Sequence, residues 1–118
     1  MFSEKDLVTR ELEDMQQEIE NLLAESEHLR KECETAIEKE AELRRESIDT
    51  RLGDPELAEM IWQEAENLHA DGRDMLRRSV EKRLRAAEVR RRIDIRTQIE
   101  SLDNYDKIWR KSARAGRI

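Results

Sequence analysis

A single break at mid-chain constrains this sequence most. Its only proline, Pro55, stands beside Gly53 and Asp54 in Leu52-Gly53-Asp54-Pro55-Glu56-Leu57, and the segments on either side carry opposite charge. Residues 1–60 hold 19 acidic and 8 basic side chains, net −11; residues 61–118 hold 10 acidic and 15 basic, net +5. Gly53 suits the left-handed position that ends a helix, Asp54 suits an N-cap, and Pro55 suits the first turn of a following helix. An acidic helix, a sharp reversal and a basic helix predict an all-α fold, a long antiparallel two-helix hairpin of coiled-coil type.

Composition agrees. Charged residues make up 44% of the 118 and aromatic residues only 3%, the balance of long helices. Such a composition also suits disorder, but a disordered chain has no need of periodic apolar residues. In the first segment these recur at steps of four and three: Val8, Leu12, Met15, Ile19, Leu22, Leu29, Cys33, Ala36 and Leu43. That is a heptad seam, interrupted at Ser26 and Glu40. Ser3 and Asp6 form a capping signature ahead of it. In the second segment the apolar positions are Leu57, Ile61, Ala65, Leu68, Met75/Leu76, Val80, Leu84, Ala87, Ile95, Ile99 and Leu102. Their repeated steps of four predict a drift away from a seven-residue repeat. Gly72 reads as a close approach of the neighbouring helix.

The expected organisation is a hairpin over residues 1–102, with helix one at about 4–51 and helix two at about 55–102. A basic overhang follows at 103–118. Reversal at Gly53 sets residues whose numbers sum to about 107 opposite each other, so Val8 meets Ile99, Leu12 meets Ile95 and Leu43 meets Ala65. The expected hairpin core is Val8, Leu12, Met15, Ile19, Leu22, Leu29, Leu43, Leu68, Val80, Leu84, Ile95 and Ile99. The arginine-rich stretch 77–96, nine basic residues to three acidic, then faces the acidic first helix. Exposed pairs of this kind select orientation more than they stabilise.

A second stripe, Leu23, Ile37, Ala41 and Ile48, lies beside the seam of helix one, where one partner helix leaves it uncovered. With Trp62 it is the expected partner-binding surface, to be covered by another helical protein or a second copy. Tyr105, Ile108 and Trp109 form a further contact candidate at helical spacing in the overhang. No catalytic constellation, phosphate-binding glycine loop or cofactor motif is present, and His28, Cys33 and His69 lack the number and spacing of zinc ligands. A non-enzymatic protein without metal or cofactor is therefore expected. Nucleic-acid binding through residues 77–96 is a third reading, weakened by the acids opposite and by the absence of a nucleic-acid module. No apolar run is long enough to span a bilayer and no secretory signal opens the chain. With one cysteine, a cytoplasmic protein is expected, or one exported with its client by a route independent of a signal peptide.

A helical hairpin of about one hundred residues with a central turn and a C-terminal overhang resembles the small proteins of bacterial type VII secretion. These include the Trp-x-Gly hairpins and the helical partners of LXG-domain toxins. At the turn Arg51-Leu52-Gly53 places Arg51 where the family's signature Trp stands, and Trp62 follows inside helix two. Tyr105-Asp106-Lys107-Ile108-Trp109 places Trp109 where the family's Tyr-x-x-x-Asp/Glu tail has an acid; Phe2 to Asp6 matches a related string at the opposite end. The resemblance implies an adaptor or targeting chaperone that binds the helical region of a secreted toxin, with the export signal supplied by the partner. Similar hairpins serve as type III export chaperones and stalks, and a self-associating coiled coil is the structural alternative.

Overall fold

The computed structural model describes residues 4–115, and these form two helices, α1 (Glu4–Thr50) and α2 (Pro55–Ala115). They pair antiparallel as a helical hairpin. The Ser3 cap and the Phe2 string fall outside the described residues. α2 runs well beyond residue 102, because no glycine or proline interrupts residues 73–115. The expected overhang is thus a continuation of the helix.

The reversal occupies the four residues between the helices. The N–H groups of Gly53 and Asp54 both donate to the Thr50 carbonyl, at 3.1 and 2.9 Å. Asp54 then caps α2: its Oδ1 accepts the Leu57 N–H at 3.1 Å and its carbonyl accepts the Ala58 N–H at 3.0 Å. Pro55 takes the first helical position, where its missing N–H costs nothing. No described glycine has a positive φ, so Gly53 does not adopt the left-handed conformation expected of it. The hydrogen bonds onto Thr50 close the turn without any residue of positive φ.

The chain forms two compact units, Asn21–Arg85 around the turn, and a terminal unit built from α1 up to Glu20 and α2 from Ala86. In the turn unit, the buried or half-buried positions of α1 include 22, 26, 29, 33, 36, 40, 43 and 47. Those of α2 include 58, 61, 65, 68, 72, 75, 79 and 82. Both sets alternate steps of three and four, a strict heptad seam. Every seventh residue of α2 in this seam is small: Ala58, Ala65, Gly72 and Ser79 are all buried. Small side chains let the two backbones come close. Ser47 Oγ consequently donates across to the Ala58 carbonyl at 2.6 Å, and a Cβ added at Gly72 would stand 3.7 Å from Ala36 Cβ.

The terminal unit keeps the same alternation, with Val8, Leu12, Met15 and Ile19 on α1 and Ala86, Val89, Ile93 and Arg96 on α2. Arg96 Nη2 bridges to Glu11 Oε2 at 2.6 Å, as Lys82 Nζ does in the turn unit to Glu25 Oε2 at 2.8 Å. In both pairs the residue numbers sum to 107, the register expected from the turn. After Arg96 the seam positions of α2 turn polar. Glu100, Asp103 and Lys107 line an open cleft with Val8 and Leu12.

Part of the expected core of α2 needs correction. Val80 and Ile95 are exposed, as are Leu84 (65%) and Ile99 (54%). They therefore do not pack in the seam, and Val8 and Leu12 line an open cleft with Glu100, Asp103 and Asn104. The reason is periodicity: the seam follows the small residues at intervals of seven, and the larger residues at steps of four drift off it. The expected departure from a heptad belongs to that outer stripe alone.

Close approach makes size decisive. Gly72→Ala has room for its methyl and relieves a helical glycine, so it should stabilise the fold by about 1 kcal/mol. Ala65→Leu overpacks the seam and should destabilise by about 1–3 kcal/mol. Leu84→Ser should fall within about 0.5 kcal/mol of the parent. Urea unfolding followed by circular dichroism measures all three.

Candidate partner-binding face

Seen down a helix, seam positions a and d are flanked by e and b on one side and by g and c on the other. On α1 of the turn unit, Leu23 and Ile37 take e positions, and Ala41 and Ile48 take b. All four are exposed, Ile37 at 58% and Ile48 at 60%. On α2, Trp62, His69 and Leu76 take e positions and Val80 takes b. The two flanks adjoin, as their contacts demonstrate. Arg44 at an e position lies over the Trp62 ring, 4.5 Å from its centroid, and Ile37 and Leu76 line one cleft. Leu23, Ile37, Ala41, Ile48, Leu76 and Val80 thus lie along one side of the turn unit.

The cleft between Ile37 and Leu76 exists because its floor is small. Cys33 and Gly72 lie at its base, Leu68 adds an apolar wall, and Glu40, His69 and Arg73 form the rim. Its volume is about 100 Å³, between the ~30 Å³ share of one water and the ~150 Å³ of a cavity that holds benzene. At the rim His69 Nδ1 lies 2.7 Å from Glu40 Oε1, and Arg44 Nε donates to Glu40 Oε2 at 3.1 Å. Partial desolvation of Glu40 pushes its pKa up, and the hydrogen bonds from Arg44 and His69 outweigh this and leave it lowered. Trp62 is only half-buried. The guanidinium of Arg44 covers its ring, and its indole N–H donates to Glu66 Oε1 at 3.2 Å.

The opposite flank is charged. Glu25 bridges to Lys82, and that hydrogen bond together with the Lys82 charge holds its carboxyl below the ordinary range, with a smaller contribution from Arg85. Leu57 and Met60 beside the turn are the exposed apolar exceptions there. Of the arginine-rich stretch, Arg96 and Lys82 pair with α1, whereas Arg77 pairs with Asp74 and Glu81 and Arg92 pairs with Glu88 on its own helix. The basic run is therefore only partly engaged by the acidic helix.

Sequence reasoning missed the buried hydroxyl layer that sets the register. Ser26 Oγ and Ser79 Oγ are 2.9 Å apart. Each also donates to the other's backbone carbonyl, at 2.9 Å from Ser26 and 2.8 Å from Ser79. Arg83 Nε adds a 3.3 Å bond to Ser26 Oγ. Ser26 had seemed to interrupt the seam; it is part of it. Its signal in the sequence was the heptad spacing of Ser26 and Ser79 from their buried neighbours.

Tyr105, Ile108 and Trp109 are exposed on α2 in the terminal unit. Among the described residues no cluster of three His, Cys, Asp or Glu side chains could hold a metal ion, and no helix is long and apolar enough to cross a membrane. No protein-family model, curated protein or solved structure matches the chain.

Two outcomes are expected here. Ser79→Ala removes the bond from Ser79 Oγ to the Ser26 carbonyl and its contact with Ser26 Oγ and should cost about 0.5–1.5 kcal/mol, whereas Ser26→Ala with Ser79→Ala should cost less than the sum of the singles; a denaturant double-mutant cycle measures the difference. For pH, the folded-state values of Glu25 and Glu40 lie below their ordinary one. Their stabilisation is complete above the ordinary carboxylate range, about pH 4.3, and is lost as pH falls through the lowered values. Unfolding at pH 7 and pH 3 should show a drop that is smaller when both are changed to Gln.

Proposed function

We propose that this chain is a non-enzymatic helical adaptor whose Ile37 face binds the helical region of another protein. The observation that carries the reading is the sidedness of the turn unit: the exposed large apolar residues of its α1 all lie on one flank, while the other is charged. Soluble proteins rarely leave such a stripe uncovered without a partner. A helix laid along it would present anchors at steps of three and four, and one aliphatic anchor would fit the cleft over Gly72. The resemblance to the small hairpins of type VII secretion supports a client of one kind, the helical targeting region of an exported toxin. In this reading the adaptor covers the client's apolar face in the cytoplasm and delivers it for export. A toxin gene beside this one would favour that client.

Burying one isoleucine is worth about 1.5–3 kcal/mol. Ile37→Glu should therefore weaken association with the candidate client by one to several orders of magnitude, while circular dichroism stays at the parental level. Leu22→Glu, at a buried seam position, should instead unfold the chain. Titration calorimetry with the toxin's helical region measures the first effect. Unchanged affinity in Ile37→Glu would remove the face from the account.

A further inference from the structure

The cleft over Gly72 stands at the centre of the Ile37 face. Leu23 and Ile48 end the exposed stripe of α1, about 38 Å apart along the helix. Cys33 and Glu40 bound the cleft on the same helix, midway between them. A partner helix of about seven turns covers that span, and its middle residue falls over the cleft. The centre of an interface, closed to water by its rim, is where single side chains carry most of the binding energy.

The lining sets what that residue is. Below the rim the cleft is walled by Cys33, Ile37, Leu68 and Leu76. Its volume of about 100 Å³ is less than the ~150 Å³ of a cavity that holds benzene, so a branched aliphatic side chain enters and an aromatic ring does not. The rim adds charge. Both oxygens of Glu40 are taken, Oε1 by His69 and Oε2 by Arg44. Arg73 also lines the cleft, and among the described residues no carboxylate pairs with it. The acids of that flank are engaged elsewhere: Glu27 and Glu34 both bond to Arg30, and Glu66 accepts the Trp62 indole N–H. Arg73 stands three residues before Leu76 and seven before Val80, so the three share one side of α2.

We propose, resting on the reading of the Ile37 face as a helix-binding surface, that the cleft takes one leucine-sized aliphatic side chain from the middle of the partner helix and that Arg73 pairs with a carboxylate one turn away from it. The partner is then an amphipathic helix with an acidic residue beside its central leucine. The two contacts divide the work. Burial of the aliphatic group supplies affinity, and the guanidinium fork of Arg73 matches a carboxylate. A lysine in the carboxylate's place meets like charge and leaves Arg73 unpaired at a covered rim, which selects against a basic helix.

Titration of the full chain with fluorescent helical peptides of about 25 residues tests both contacts. Each peptide carries leucines at steps of three and four. The versions differ at the central position, leucine or tryptophan, and one turn to either side of it, glutamate or lysine. The leucine–glutamate peptide should bind about tenfold or more tighter than its tryptophan counterpart, whereas a flat apolar face favours the larger ring. It should exceed the lysine version by a similar factor, and Arg73→Glu should reverse that second order while keeping the first. A tryptophan peptide that binds as well, or a charge order that Arg73→Glu leaves in place, would overturn the proposal, even where Ile37→Glu abolishes binding and so upholds the face. Peptide binding that is absent, or indifferent to Ile37→Glu, would remove the face and this proposal with it. A parent that is dimeric in sedimentation equilibrium and monomeric in Ile37→Glu would give the face to a second copy instead.

Discussion

The constraint on which this structure depends is the row of small residues at every seventh position of α2. Ala58, Ala65, Gly72, Ser79 and Ala86 are buried, and none carries a side chain larger than a hydroxymethyl group. A row of leucines would hold the helices apart; this row brings the backbones close enough for hydroxyls to reach carbonyls on the opposite helix. Ser47 bonds to the Ala58 carbonyl, and Ser26 and Ser79 exchange bonds. These polar groups are fully satisfied, so they fix alignment without a desolvation penalty left over. An apolar seam alone would tolerate a slip of one heptad. Sliding the two serines apart would strand both hydroxyls against apolar neighbours.

Thin packing also explains why so much apolar surface stays outside. A seam lined by alanine, glycine and serine buries little area per residue, and the larger side chains project from its flanks. Those of α1 in the turn unit gather on one side, where Ile37 and Leu76 border the hollow over Cys33 and Gly72. The other side carries the Glu25–Lys82 bridge. The same small glycine that lets the helices come close therefore leaves the cleft between Ile37 and Leu76, and filling it from within would remove it.

Much of the fold was legible in the sequence. The Gly-Asp-Pro break located the reversal and with it the antiparallel pairing, and the four-three spacing of α1 named its seam, including Ile19, Leu22 and Leu29. The exposed stripe at Leu23, Ile37, Ala41 and Ile48 was legible for the same reason. The seam of α2 was misread in part: Ile61, Ala65 and Leu68 lie in it, but hydrophobicity also pointed to Val80, Leu84, Ile95 and Ile99, whereas packing followed side-chain size at a period of seven. The local backbone of Gly53 was not legible either: a glycine after a helix usually reverses through the left-handed region, but here hydrogen bonds onto Thr50 suffice. The end of α2 was placed early because the periodic apolar positions read in the second segment end at Leu102, although nothing in residues 103–115 breaks a helix.

Close approach through the serine layer is tested most directly by cross-linking it. Replacing Ser26 and Ser79 by cysteine, with Cys33→Ser to remove the native thiol, puts two sulfurs where the hydroxyl oxygens are 2.9 Å apart. A disulfide needs Cβ atoms about 3.5–4.5 Å apart, which only closely packed helices in this register provide. Mild oxidation of the dilute protein should give an intrachain disulfide in nearly every molecule, read by mass spectrometry of the proteolysed chain. Thiols that stay free, or that join only different chains, would contradict the account.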